Sequence, residues 1–168
     1  MSAFEEKAWL SSYAEWTPAE VDLGDDTLLD LYEETLSKRS YKNAMWFFGR
    51  TITYSELDKQ VRSCAAGLKA FGVRPGDRVA LVMPNCPQFV ISFLAVLRLG
   101  ASVVAHNPLY TAHELRGQFN DHGARVAIMW DKAVEELAVL RGDTPLETIV
   151  SVDMTKACLL YTSDAADE

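Results

Sequence analysis

Disulfide, metal-cluster, membrane-span and secretory signals are all missing from this 168-residue chain. Cys64, Cys86 and Cys158 are an odd number with no ligand or disulfide spacing, which excludes a stapled scaffold and suits a reducing cytosol. The longest apolar stretch, Phe89 to Leu97, is interrupted by Ser92 and falls far short of a bilayer span. Met1 to Glu20 is acidic and lacks the basic start and apolar core of a secretory leader. No GxGxxG occurs, so nothing supports a dinucleotide fingerprint. No basic cluster is present either, and nucleic acid is not an expected partner. These absences point to a cytoplasmic location.

What is present is ordinary for one globular domain: 49% hydrophobic and 24% charged residues. The net charge of −8 is concentrated at one end. Residues 1–36 hold ten acidic side chains and one basic, whereas the remainder holds 14 and 15. Residues 1–26 therefore read as an acidic N-terminal arm, a solvated leader whose Trp9, Tyr13 and Trp16 are expected to dock in part.

Helix and strand patterns alternate beyond the arm. Thr27 to Ser37 carries Leu28, Leu31, Tyr32 and Leu36 at helical spacing, with Asp26 or Thr27 as N-cap. Met45 to Phe48 and Thr51 to Thr53 flank Gly49-Arg50, a hairpin signal. Thr53-x-x-Glu56 and Thr111-x-x-Glu114 are capping boxes. The helix after Thr53 puts Leu57, Val61, Cys64, Leu68 and Phe71 on one stripe, with Asp58, Lys59, Arg62 and Lys69 largely opposite. Arg78 to Met83, Ala101 to Ala105, Arg125 to Trp130 and Thr148 to Val152 read as strands. Between them, Cys86 to Leu99 reads as a buried helix. A second helix follows Thr111 up to Gly123, and a third runs from Asp131 or Lys132 to Leu140. That succession predicts an α/β fold: a mainly parallel sheet with helices on both faces and right-handed crossovers, preceded by a short hairpin.

Five segments occur in order between Gly49 and Gly123: TYSEL, GVRPGDRVAL, MPNCPQF, LRLGA and NPLYTAHEL. Together they resemble the N-terminal part of the AMP-forming acyl-CoA synthetases, adenylate-forming enzymes, over roughly residues 25 to 153. NPLYTAHEL is most similar to long-chain fatty acid–CoA ligases. The resemblance implies a reaction of fatty acid, ATP and CoA to acyl-CoA, AMP and pyrophosphate through an acyl-adenylate, with ATP, Mg2+ and CoA as the parent's cofactors and co-substrates. It leaves room for a parent homodimer and for contact with a membrane surface. On this reading residues 27–157 are a partial AMP-binding domain. The glycine- and threonine-rich phosphate loop, the acidic magnesium and ribose contacts and the mobile lysine of the family find no counterpart here. No catalytic, cofactor-binding or metal residue is therefore assigned. The piece is expected to be inactive, to bind none of these ligands, and to be marginal or aggregation-prone for want of its downstream core.

The final residues, Cys158 to Glu168 (CLLYTSDAADE), fit nothing before them. They resemble an in-frame translation of a sequencing-library adapter and are set aside as non-native. Tyr161-Thr162-Ser163 imitates the start of the family's phosphate loop, but Asp164 stands at the glycine position, where a carboxylate would repel phosphate.

Other residues have two readings. His106, His113 and His122 are not expected to converge, and their expected roles are surface, capping or packing. Cys86, at a helix start, is either an activated thiol or a small core residue, the second being favoured. Asn107, Pro108 and Tyr110 either fix a strand exit and helix entry or line the acyl or CoA side of a cleft. Related readings of the parent remain open: a fatty acyl-AMP ligase, an aryl-CoA ligase, an adenylation domain, or a non-catalytic α/β binding module.

Overall fold

The computed structural model describes residues 7–21 and 24–157. The tail from Cys158 onward, with Tyr161-Thr162-Ser163, lies outside the described residues. A short 3-10 turn, Ala8–Ser12, represents the arm, tied by an ion pair between Lys7 and Glu20. Trp16 is 86% exposed, so this member of the aromatic set does not dock, contrary to expectation.

Three helices begin with the same local chemistry. Thr27, Thr53 and Thr111 each accept the N–H three residues on, while Asp30, Glu56 and Glu114 reach back to the cap. Two of the four orphan donors at each helix start are thereby satisfied. These caps open α1 (Leu28–Arg39), α2 (Tyr54–Ala70) and α4 (Ala112–His122).

Between α1 and α2 lies the hairpin of β1 (Asn43–Phe47) and β2 (Arg50–Thr53). Its turn falls on Phe48-Gly49, one residue earlier than the sequence suggests. Both residues have positive φ, 42° and 81°, as a tight two-residue hairpin turn requires. Phe48 meets that requirement despite its side chain, and its ring packs edge-on against Phe47 at 4.8 Å.

The main sheet is built from β3 (Arg78–Val82), β4 (Ser102–His106), β5 (Val126–Trp130) and β6 (Thr148–Val152), in the order β4-β3-β5-β6. Every pairing is parallel, with Val79 opposite both Val103 and Val126. Between the strands run α3 (Pro87–Arg98) and α4, then α5 (Asp131–Leu137), which tightens into a 3-10 turn over Ala138–Gly142.

The two-residue period of a strand then sorts the core. Val79, Leu81, Val126 and Ile128 pack with α1, α2 and α3, whereas Ala80, Val82, Ala127 and Met129 pack with α4 and α5 around Phe119, Leu115 and Leu137. Both faces are thus covered by helices, as a parallel sheet requires.

Two side chains of α2 depart from the expected stripe. Phe71 falls at the C-cap and is exposed, and Asp58 is buried rather than solvent-facing. Asp58 sits against α3, where Arg98 ends an otherwise apolar helix and supplies its countercharge. Just beyond that same end of α3, Gly100 turns with φ 69°, and a Cβ there would lie 3.2 Å from Pro75 Cβ. Glycine alone avoids both problems.

Candidate functional site

Strand order decides where a ligand would sit. The chain leaves β3 toward β4, then passes back beyond β3 to β5, so successive connections cover opposite faces. In such doubly wound sheets a crevice opens at the carboxyl ends of the strands where the direction reverses. Here that is the edge formed by the ends of β3 and β5, with Met83 to Cys86, Asn107 to Thr111, Asp131 and Asp153 around it.

Hydrogen bonds shape this edge. Gln88 Nε2 donates to the Asp153 carbonyl at 3.2 Å, joining the start of α3 to the exit of β6. An Arg50 guanidinium N–H donates to the Lys156 carbonyl at 3.2 Å, bringing the hairpin alongside. Asn107 Oδ1 accepts from the Leu109 N–H at 3.0 Å, and the Asn107 carbonyl accepts from Tyr110 N–H at 3.2 Å. Asn107 and Pro108 therefore form the turn between β4 and α4, while Leu109 and Tyr110 stay exposed. The strand-exit role of this segment is the one the geometry displays.

Next to the edge, α2, α3 and β6 border an open, mainly apolar groove of about 400 Å³, lined among others by Cys64, Ile91, Ile128, Val150 and Val152. Burial pushes the Cys64 thiol up, against a hydrogen bond with Ser92 that favours the thiolate. That direction suits packing rather than nucleophilic attack. A second apolar groove of about 460 Å³ runs between α1 and α3, past Leu31, Tyr32, Phe89 and Phe93. Cys86 is the N-cap of α3, makes no side-chain cap bond and is buried in the core. It takes the packing role.

Below that second groove lies a charge network that the sequence pattern missed. Asp58 holds Arg62 at 2.6 Å and Arg98 at 3.1 Å, and Arg98 also reaches Glu33 at 3.3 Å. The Tyr32 hydroxyl beside it is pushed up to about 12, first by burial and then by the Asp58 charge, with Arg98 and Arg62 opposing. A lone arginine at the end of an apolar helix was the available signal.

The histidines require a correction. His106 and His122 do converge, their Nε2 atoms 3.1 Å apart, whereas His113 stays exposed on α4. Packing and capping account for the pair: His106 stacks on Phe119 at 5.3 Å, and His122 Nδ1 accepts the Ala124 N–H at 3.0 Å. Among the described residues, no group of three or more His, Cys, Asp or Glu is placed to hold a metal ion. The segments at the sheet edge hold Lys132 and Lys156 beside Asp131 and Asp153, Arg50 reaches in from the hairpin to the Lys156 carbonyl, and no glycine-rich turn lies there among the described residues. These residues do not fit the phosphates of a nucleotide, which need a backbone cradle and unopposed positive charge. Among the described residues, no helix is long and apolar enough to cross a membrane.

Comparison with known proteins agrees with the fold. A profile described as AMP-binding enzyme matches residues 32–168. The chain is 39% identical over 126 residues to a long-chain-fatty-acid–CoA ligase of Bacillus subtilis, covering 75% of this chain and 22% of that protein. It is 43% identical over 104 residues to 4-coumarate–CoA ligase 3 of Oryza sativa subsp. japonica, covering 60% and 19% respectively. Among solved structures, the anthranilate CoA ligase AuaEII in complex with anthranoyl-AMP superposes with a TM-score of 0.70 at 28% identity, over 76% of this chain and 26% of that one. The chain thus spans about a quarter or less of the length of these relatives.

Proposed function

The chain belongs to the AMP-binding enzyme family, and from that premise we propose that it is the N-terminal portion of a long-chain fatty acid–CoA ligase. The observation that carries this reading is the 126-residue match to the Bacillus subtilis ligase, which covers three-quarters of the chain.

In the proposed reaction a fatty carboxylate attacks the α-phosphate of ATP, pyrophosphate leaves, and the CoA thiol then displaces AMP from the acyl-adenylate. In-line phosphoryl chemistry of this kind depends on positioned positive charge and backbone donors. The described residues do not compose such a cradle. We therefore place the nucleotide- and magnesium-binding groups in the remainder of the parent. The role of this part is architectural: it supplies the switch-point edge of the parallel sheet and the apolar surface next to it.

The 43% identity to a 4-coumarate–CoA ligase supports a second reading, an aryl-CoA ligase. Turnover of the full-length parent separates the two. With ATP and CoA present, we expect AMP to form with a long-chain fatty acid at least tenfold faster than with 4-coumarate, measured as kcat/KM. Preference for the aryl acid would reverse the assignment. Pyrophosphate release without CoA, with acyl-adenylate accumulating and no AMP set free when CoA is added, would instead identify an acyl-AMP ligase.

A further inference from the structure

The pair formed by His106, at the end of edge strand β4, and His122, at the end of α4, has its protons fixed by its neighbours. His122 Nδ1 accepts the Ala124 N–H at 3.0 Å, so the one proton of a neutral His122 must sit on Nε2. That Nε2–H points at His106 Nε2, 3.1 Å away, which must then be the acceptor. The proton of His106 is left on Nδ1, where it donates to Gln118 Oε1 at 2.9 Å. Gln118 Nε2 in turn donates to the Glu114 carbonyl at 3.3 Å. Every donor in the chain from Ala124 to Glu114 meets an acceptor, and only one tautomer of each ring satisfies it.

The same bookkeeping argues against a metal between the rings. His122 could present a lone pair at Nε2 only by protonating Nδ1, which would set two donors against each other at Ala124. It also fixes what an added proton does. A charged His122 carries an Nδ1–H facing the Ala124 N–H, and a charged His106 carries an Nε2–H facing the His122 Nε2–H. Either event breaks one link of the chain.

We propose that His106 and His122 form a proton-gated clasp, which when neutral fastens the end of α4 to edge strand β4 and when protonated releases it. The clasp spans the Asn107–Thr111 turn, so its opening loosens the strand exit that borders the candidate site. The charged groups that reach His122 are Asp121 on its own helix, which favours the proton, and Arg78 at the head of β3, which opposes it. Gln118 favours the proton on His106. Phe119, stacked on His106 and tilted against His122 at 4.8 Å, is the uncharged wall of the clasp.

Burial is the largest influence on both rings. It lowers His106, and together with His106 and Arg78 it lowers His122 to about 4. In the unfolded chain both imidazoles titrate at about 6.5. The folded form therefore takes up these protons less readily than the unfolded form. The clasp's contribution to stability is complete above about pH 6.5 and is lost progressively as the pH falls toward the His122 value.

Two-bond proton–nitrogen spectra of the imidazoles, recorded on the full chain from pH 7.5 to 3.5, test this directly. The expected result is His106 as the Nδ1–H tautomer and His122 as the Nε2–H tautomer. His122 should stay unprotonated until near pH 4, and protection of the Ala124 amide, taken relative to its intrinsic exchange rate at each pH, should fall as it titrates. In His106→Asn, His122 should titrate at higher pH than in the parent chain. A His122 that is protonated on Nδ1 at neutral pH, or that titrates at about 6.5 in the unmodified chain, would overturn the proposal.

Discussion

Asp58 shows what a single residue can contribute when its partner comes from elsewhere in the chain. Local periodicity puts it beside Lys59 and Arg62 on the outer face of α2, and in isolation that reading is sound. The tertiary partner is Arg98, forty residues on, and the two charges meet with 13% and 18% of their side chains exposed. At such burial, removing one member strands the other, at a cost that approaches that of a buried ion pair. Asp58→Asn should therefore lower stability by about 2–3 kcal/mol in urea titrations. The double change Asp58→Leu with Arg98→Met should cost less than the single one, because both desolvated charges go together. A single-variant loss under about 0.5 kcal/mol would mean that water already screens the pair. The histidine pair was hidden for the same reason: residues sixteen apart meet only once β4 and α4 pack.

At the scale of elements, far more was readable. Capping boxes act within four residues, so Thr53-Glu56 and Thr111-Glu114 announced α2 and α4 and are found as announced. Where local signals compete, boundaries moved. The hairpin turn shifted from Gly49-Arg50 to Phe48-Gly49, because Arg50 pairs with Phe47 in the strand ladder and leaves Phe48 and Gly49 to take the positive φ of the turn. The helix after β5 gave way to a 3-10 turn at Ala138. The order β4-β3-β5-β6 was not readable, since alternation of strand and helix fits more than one arrangement. The α4 cap makes a sharp prediction. Hydrogen bonds from the Thr111 backbone N–H and hydroxyl lower Glu114 below the usual glutamate range. Its contribution is thus present above the ordinary glutamate value and is lost as the pH falls through the lowered one. Thr111→Ala should raise the Glu114 titration, followed by carboxyl carbon NMR, and cost about 1 kcal/mol of stability at neutral pH. An unmoved Glu114 would show that the cap is not formed in solution.

For the whole molecule, the five sequence segments, the fold and the comparisons agree on one family, while our proposal places the nucleotide chemistry of that family in the remainder of the parent. The described part consists of a hairpin and four parallel strands with helices on both faces. Among the described residues β6 pairs with β5 only, and next to it lies an open, mainly apolar groove of about 400 Å³. Such a surface is costly to leave in water, which fits a role as one part of a larger catalyst. The decisive comparison is pyrophosphate release from ATP in the presence of a long-chain fatty acid, measured side by side for the full-length parent and for this 168-residue chain. Release by the parent and none above background by the chain is the expected result. Pyrophosphate formed by the purified chain alone, or a parent that activates no carboxylate, would contradict it.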